Sequence, residues 1–405
     1  MPIAYTAALL LAAAGAPAVE SDPLHDAAKA AGMPISIAAD GSASGAGWDR
    51  LVAETSAAQF TLVGEQHAVA DIVRLATTLQ AALQAHGYNH AAYEVGPVAT
   101  RRAERLIRDG AGKLEAEAAQ RPDRFLYPFL GLVEEVTLAR QIVERSRAKA
   151  PVLWGLDQEF IGAGRIVADR LGELARTDAQ VRAVDAFSAA VDADAFLLGG
   201  APPSTFDALA AAFGGGDRND AEARRIVDEV ILSNAIYAPF TGRGGSVYDA
   251  NLKRETYMKT NFVEQFRAAE KRDGRPPRVF MKFGGNHMMR GLSTTDVQSL
   301  GNFISEWGHA RGFASVSIMV DCKGGEQRDF RSGKAVPCES MAAGPGTLLG
   351  DAAADTGITL FDLRPLRGKV RRKSTIDAET RRAIFAFDYY IVIANPGPAT
   401  MIEAR

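Results

Sequence analysis

Four short apolar runs in this chain each end in residues able to carry acid–base chemistry. Phe60-Thr61-Leu62-Val63 leads into Gly64-Glu65-Gln66-His67, and residues 90–95 deliver Glu94 near their end. Residues 151–156 lead into Asp157-Gln158-Glu159, and residues 279–283 lead into Gly284-Gly285-Asn286-His287. Imidazole exchanges protons near neutral pH, and a neighbouring carboxylate can fix its tautomer, so two histidines with several acids suit hydrolysis. Ligands of open parallel sheets bind beyond the carboxyl ends of the strands, where all four deliveries would fall. Glu65, His67, Glu94 and His287 are therefore the candidate catalytic residues. Two deliveries share the form Gly-x-x-His, in which glycine lets backbone approach a ligand closely. Glu65 and Glu94 at apolar strand ends each require a partner, either an arginine or a metal, because an unpaired carboxylate there is costly. Asp157 either joins the cleft or caps a following helix.

A second constellation lies farther along. Asn251, Arg254, Met258 and Asn261 are spaced 3, 4 and 3 apart, so a helix places them on one face. Such a face suits either a helix over a wet cleft or a partly solvated surface stripe. In the first case Arg254 pairs with Glu94 or binds an anionic group of a substrate. Asp157, Arg254 and Asn261 are the candidate substrate-binding residues. Phe125, Tyr127 and Phe129 are candidates to wall the pocket, although aromatic clusters more often form core. His25, His86, His90 and His309 lack such context and read as structural or surface residues.

Two mechanisms fit these residues. In one, His67 takes a proton from water attacking an ester or amide carbonyl, and His287 or Arg254 stabilises the oxyanion. In the other, His67, Glu94 and His287 bind a divalent ion such as Mn, Co or Zn, which acidifies a bound water. No Gly-x-Ser-x-Gly elbow supports a serine nucleophile, and no Walker A or G-x-G-x-x-G sequence follows the first strand.

The positioning elements follow from hydrophobic periodicity. Apolar positions at helical spacing in 72–83, 98–119 and 132–149 alternate with the first three runs, predicting right-handed crossovers and a mainly parallel α/β sheet with flanking helices. Residues 161–273 interrupt the alternation with several helical stretches, expected to form a large insertion acting as a cap. Further strands are expected at 279–283, 315–320 and 389–393. The expected division of the chain is a signal peptide (1–22), an N-terminal segment and linker (23–56), a first part of the core (57–160), the helical cap (161–273) and a second part of the core (274–405).

Composition narrows the class. The 405 residues are 47% hydrophobic and 23% charged, with a net charge of −3. That is a globular balance with no basic field for a nucleic acid. Residues 7–14 form a short apolar run followed by Ala16-Pro17-Ala18, which resembles a signal-peptidase site, although no basic residue precedes it. No segment is long and apolar enough for a transmembrane anchor. The only two cysteines, Cys322 and Cys338, bracket a polar excursion. Either they are free thiols, or in an oxidising compartment they form a bridge worth about 3 kcal/mol. A periplasmic or secreted location is expected, with a small molecule or peptide as substrate.

At these residues the chain resembles a superfamily comprising the erythromycin esterases, the haem-binding ChaN-type lipoproteins and the TraB/Tiki proteins. The matching pieces are TLVGEQH, AYEVGP, VLWGLDQEF, NLKRETYMKTNF, MKFGGNHMMRG and FDYYIVIANPGPAT, spread over residues 57–400. The resemblance implies an α/β sheet with a helical cap and a cleft at the strand ends. It implies water activation by Glu65 and His67, with His287 as the second histidine. Glu65-Gln66-His67 is one residue tighter than the Glu-x-x-His of the macrolide esterases and closer to the ChaN-like spacing, which points away from macrolides. The paired Gly-x-x-His motifs with Glu94 look like the Tiki arrangement, which implies a divalent metal and peptide hydrolysis. The ChaN likeness implies the alternative of a haem-binding or haem-uptake protein without hydrolase activity, with Met288, Met289 or Tyr93 as further ligands.

Overall fold

The computed structural model describes residues 23–120, 126–215, 220–372 and 374–403. Its strands are β1 (Gly32–Ile37), β2 (Ala43–Ser44), β3 (Phe60–Glu65), β4 (His90–Tyr93), β5 (Leu153–Gly155), β6 (Val279–Gly284), β7 (Ser315–Lys323), β8 (Glu326–Arg328), β9 (Ala335–Pro337), β10 (Ile358–Asp362) and β11 (Tyr389–Ala394). Nine of them form one sheet in the order β2-β1-β10-β11-β7-β3-β6-β4-β5. From β11 to β5 neighbouring strands are parallel, while β2, β1 and β10 add an antiparallel edge. The expected α/β class and mainly parallel sheet are what is found.

Every residue of β3, β4, β5 and β6 is buried. Helices cover both faces of these strands, and that double burial is why they read as uninterrupted apolar runs. The chain passes from β3 through helix Ala70–Gln84 to β4, leaving a gap that β6, beginning at Val279, fills much later in the chain. Consequently the four strands that end in candidate residues lie side by side.

Between β5 and β6 the chain is helical, including Gly164–Leu174, Asp178–Ala193, Ala221–Tyr237 and Val247–Asp273. The last of these is 27 residues long, roughly 40 Å at 1.5 Å per residue. It lies along the sheet, with Phe262 and Phe266 against Phe60 at 5.7 and 5.8 Å. Its second turn reaches the carboxyl ends of the strands and its last turn reaches their amino ends. Among the described residues, no helix is long and apolar enough to cross a membrane.

The structure differs from expectation in two places. The segment read as a linker holds β1 and β2, which pair with each other, while β1 also pairs with β10. The expected helix 98–119 is two helices, Pro97–Asp109 and Lys113–Gln120, separated by Gly110 and Gly112 at φ 141° and 80°. Those values suit glycine and end the first helix. The region proposed as a signal peptide lies outside the described residues, as does Phe125.

Cys322 and Cys338 are bridged. The bridge ties the end of β7 to the β8–β9 hairpin, which meets the loop carrying His67. Gln327 Oε1 accepts from Gln66 Nε2 at 3.1 Å, and Arg328 N–H donates to Ala68 O at 2.9 Å. The bridge closes a loop of sequence separation 16. Reduction is expected to cost about 3 kcal/mol, read as a lower urea midpoint with unchanged m-value. An unaltered midpoint would mean that the hairpin contacts alone hold this excursion.

Candidate active site

Register sets the site. β3 pairs with β6 so that Glu65 lies opposite Gly284, and β4 pairs with β6 so that Tyr93 lies opposite Lys282. Glu65, Glu94 and the turn carrying His287 therefore emerge at one level of the sheet edge. Glu94 is the hub. Its Oε2 accepts from the Gly284 N–H at 2.7 Å and lies 3.6 Å from His67 Nε2. Its Oε1 accepts from Arg254 Nη2 at 2.7 Å and lies 3.2 Å from His287 Nε2. Two imidazoles thus flank one carboxylate, each from a different strand.

Each histidine is anchored through its other nitrogen. His67 Nδ1 lies 3.0 Å from Glu65 Oε1, and His287 Nδ1 lies 2.6 Å from Glu255 Oε1. Glu255 in turn accepts from the Leu300 N–H at 2.7 Å, at the start of helix Leu300–Ala310. His67 is the most open of the group, with its side chain 33% exposed against 13% for His287 and 7% for Glu94. Phe129 packs on the His67 ring at 4.6 Å, and Ala68 directly follows it. Phe129 and Ala68 both adopt positive φ, 55° and 60°. Such backbone strain in non-glycine residues is held only where surrounding contacts over-determine it. Ala68 O accepts two backbone hydrogen bonds, from Arg328 and Ala399.

Arg254 bridges the two acids beside it. Its Nε donates to Asp157 Oδ1 at 2.9 Å, and Nη2 reaches Asp157 Oδ2 at 2.5 Å as well as Glu94. Asp157 therefore spends its side chain on Arg254 and on the Gln158 N–H rather than on a helix cap. Asn261, expected to touch substrate, is buried. Its amide donates to Leu156 O and accepts from Arg225, so it braces the backbone after β5. Met258 likewise belongs to the core. The four spaced residues do share one helix: Arg254 at its second turn extends into the cleft, whereas Met258 and Asn261 are buried farther along, where the helix continues over the apolar sheet face.

Three participants were not singled out from sequence. Lys282 is buried under the site, its Nζ donating to Glu65 Oε1 at 2.6 Å and Glu135 Oε1 at 2.5 Å. A lysine inside an apolar strand was the available signal, since a buried ammonium requires carboxylate partners. Glu135, from helix Val133–Arg145, and Glu255 offered no local signal, because both sit in ordinary charged helical sequence.

Electrostatics polarises the cluster. Burial disfavours charge on Glu65, but Lys282 and the His67 hydrogen bond outweigh it and hold the carboxyl below its ordinary range. Burial acts likewise on Glu94, and the His287 charge beside it holds the carboxyl well down. His67 is pushed up: burial opposes its charge, yet the hydrogen bond to Glu65 and the Glu94 charge prevail. For His287 burial is again overcome, chiefly by Glu94, and its pKa rises to about 10. Glu135 is pushed up by burial despite Lys282, and the Glu65 charge adds to the rise.

Among the described residues, no group of three or more His, Cys, Asp or Glu is arranged to hold a metal ion. His67, Glu94 and His287 do meet, but both Glu94 oxygens are already used by the Gly284 N–H and Arg254. The Arg254 guanidinium already balances the charge of Glu94 and Asp157. The further groups considered for haem ligation lie away from solvent. Met288, Met289 and Tyr93 are buried in the packed core.

Gly284 is where the close approach matters. A Cβ built on it would lie 2.6 Å from His67 Nε2 and 3.3 Å from Glu94 Oε2. Gly284→Ala is expected to displace the His67 ring while leaving the β6 backbone conformation, which is extended, intact. A crystal structure of the variant showing His67 unmoved would contradict this.

No protein-family model matches the chain, and no curated protein matches it in sequence. Solved structures do match. One, described as a succinoglycan biosynthesis protein, is 14% identical, covers 94% of this chain and 98% of its own, and has a TM-score of 0.63. A Bacillus cereus protein is 14% identical over 93% of this chain and 98% of its own, with a TM-score of 0.57. A mutant of the erythromycin esterase EreC in its open conformation is 15% identical over 88% of this chain and 95% of its own, with a TM-score of 0.59. At such identities the likeness is one of architecture, and the chain has the fold of the erythromycin esterase EreC.

Proposed function

We infer that the protein is an exported hydrolase that cleaves an ester or amide bond with water activated by His67. The reading rests above all on one feature: His67 is anchored through Nδ1 on a buried, ionised carboxylate, while its Nε2 makes no hydrogen bond at the cleft. With Nδ1–H donated to Glu65, Nε2 carries the lone pair and can take a proton from water attacking a carbonyl carbon. The negative charge that develops on the carbonyl oxygen would be met by the His287 imidazolium and the Arg254 guanidinium. The proton on His67 then passes to the leaving alkoxide or amine, which returns the ring to its starting state. Lys282 keeps Glu65 ionised, and Glu94 holds the two cations at the cleft. The helices between β5 and β6 serve as a cap by supplying Arg254 and Glu255. Export is supported by the Cys322–Cys338 bridge, since disulfides persist in oxidising compartments.

The test is turnover of simple aryl esters and amides as a function of pH. His67 must be unprotonated to act and has a raised pKa, so kcat/KM should climb with pH above the ordinary imidazole value of 6.5. It should fall again as His287 loses its proton near pH 10. Linkage adds a stability effect of the same sign on the alkaline side. The folded pKa of His287 is raised, so its contribution is fully present below pH 6.5 and is lost as pH rises through about 10. A rate independent of pH between 6 and 10 would remove both histidines from the chemistry.

A further inference from the structure

The amino ends of the strands carry a second pocket. β4 begins at His90 and ends just before Glu94, so the two ends are roughly 13 Å apart at about 3.3 Å per residue. At the His90 end a cavity of about 470 Å³ opens between the segments preceding β4, β5 and β6. That volume lies in the range of small-molecule sites, roughly 300–1,000 Å³. Arg147, Lys149, Arg272, Arg275 and Arg278 line it, and Asp273 is the one carboxylate among the lining residues.

Little of this positive charge is neutralised locally. Asp273 is held by His90 Nε2 at 2.9 Å and lies 3.6 Å from Arg272 Nε. Arg278 donates to Ser56 O, and Arg272 to Pro151 O at 3.3 Å. Among the described residues, Arg147, Lys149 and Arg275 form no ion pair, and Arg147, Lys149 and Arg275 are exposed. Two helices, Val133–Arg145 and Val247–Asp273, end at this rim, and their dipoles favour basic residues in the last turn. That accounts for Arg145 and Arg272. It does not account for Arg147, Lys149, Arg275 and Arg278, which lie beyond the helix ends. His90, on the pocket lining, is itself buried, and its Nδ1 has no hydrogen-bond partner.

We propose that this pocket binds a phosphorylated small molecule or headgroup, separately from the candidate active site. Five cations against one carboxylate call for a ligand with at least two negative charges in a small volume. A phosphate monoester carries about 1.5–2 at neutral pH, with three acceptor oxygens for guanidinium forks. A single carboxylate would leave most of the cations unmatched.

The experiment is calorimetric titration of the full chain with inorganic pyrophosphate at constant ionic strength, with acetate as the comparison. Saturable one-to-one binding of pyrophosphate is expected, weakened at least tenfold in the Arg147→Glu/Arg275→Glu double variant. Both positions are exposed, and an unchanged melting temperature of the variant confirms that folding is intact. Sedimentation with phosphatidylcholine vesicles containing phosphatidic acid separates the sources. Vesicle binding competed by pyrophosphate assigns a lipid headgroup, whereas pyrophosphate binding without vesicle binding assigns a soluble ligand. Absence of saturable binding, equal affinity for acetate, or an unaltered double variant would overturn the proposal.

Discussion

His67→Ala is expected to lower kcat/KM for an aryl ester by about 10²–10⁴-fold, the usual contribution of a positioned general base. Its melting temperature should stay within a few degrees of the parent. The two effects separate because of where the ring sits. One face of His67 packs on Phe129, but a third of the side chain is open and its Nε2 makes only the 3.6 Å approach to Glu94. Truncation to alanine therefore removes a proton acceptor without opening a large internal cavity. A surviving activity in the variant would refute the role of His67, whereas a collapse of the melting temperature would mean the ring is chiefly structural. His67→Gln refines the test, since an amide can keep a hydrogen bond to Glu65 yet cannot accept a proton usefully.

Lys282→Met should be among the most destabilising single substitutions at this edge of the sheet. Removing one partner of a buried ion pair typically costs about 3–5 kcal/mol, because the remaining charge is left uncompensated. Here the side chains of Lys282, Glu65 and Glu135 are all 3% exposed or less. Methionine matches the length of the lysine stem, so the loss would report charge rather than volume. The measurement is urea unfolding at pH 7, compared with the double variant Lys282→Met/Glu135→Gln. The double variant should recover part of the loss, because one of the two stranded acids is then neutral. A single-variant cost below about 1 kcal/mol would contradict the triad as the support of Glu65.

The pattern of strands was legible because parallel strands buried on both faces leave no polar alternation. The runs that become β3, β6, β7 and β11 stand out for that reason. β1 and β10 were not legible: they form an antiparallel margin, and β1 carries Pro34 with mixed exposure along it. Glycines at 110 and 112 marked a break inside a helical pattern whose apolar spacing continued across it. Arg254 was conspicuous as a cation on a mixed helical face. Asn261 misled, because spacing along a helix says which residues share a face but not where along its length the face leaves the cleft.

Residue order alone determined that Glu65, His67, Glu94, Asp157 and His287 follow apolar strands, since a strand and the turn after it are local. It could not determine which of these groups would touch. That was decided by sheet order, which inserts β6 between β3 and β4 and so places His287 and His67 on opposite oxygens of Glu94. The charge state of the cluster was also decided by tertiary structure. Lys282, Glu135 and Glu255 arrive from segments distant in sequence, and only burial at contact distance makes their charges strong enough to set the protonation of their neighbours.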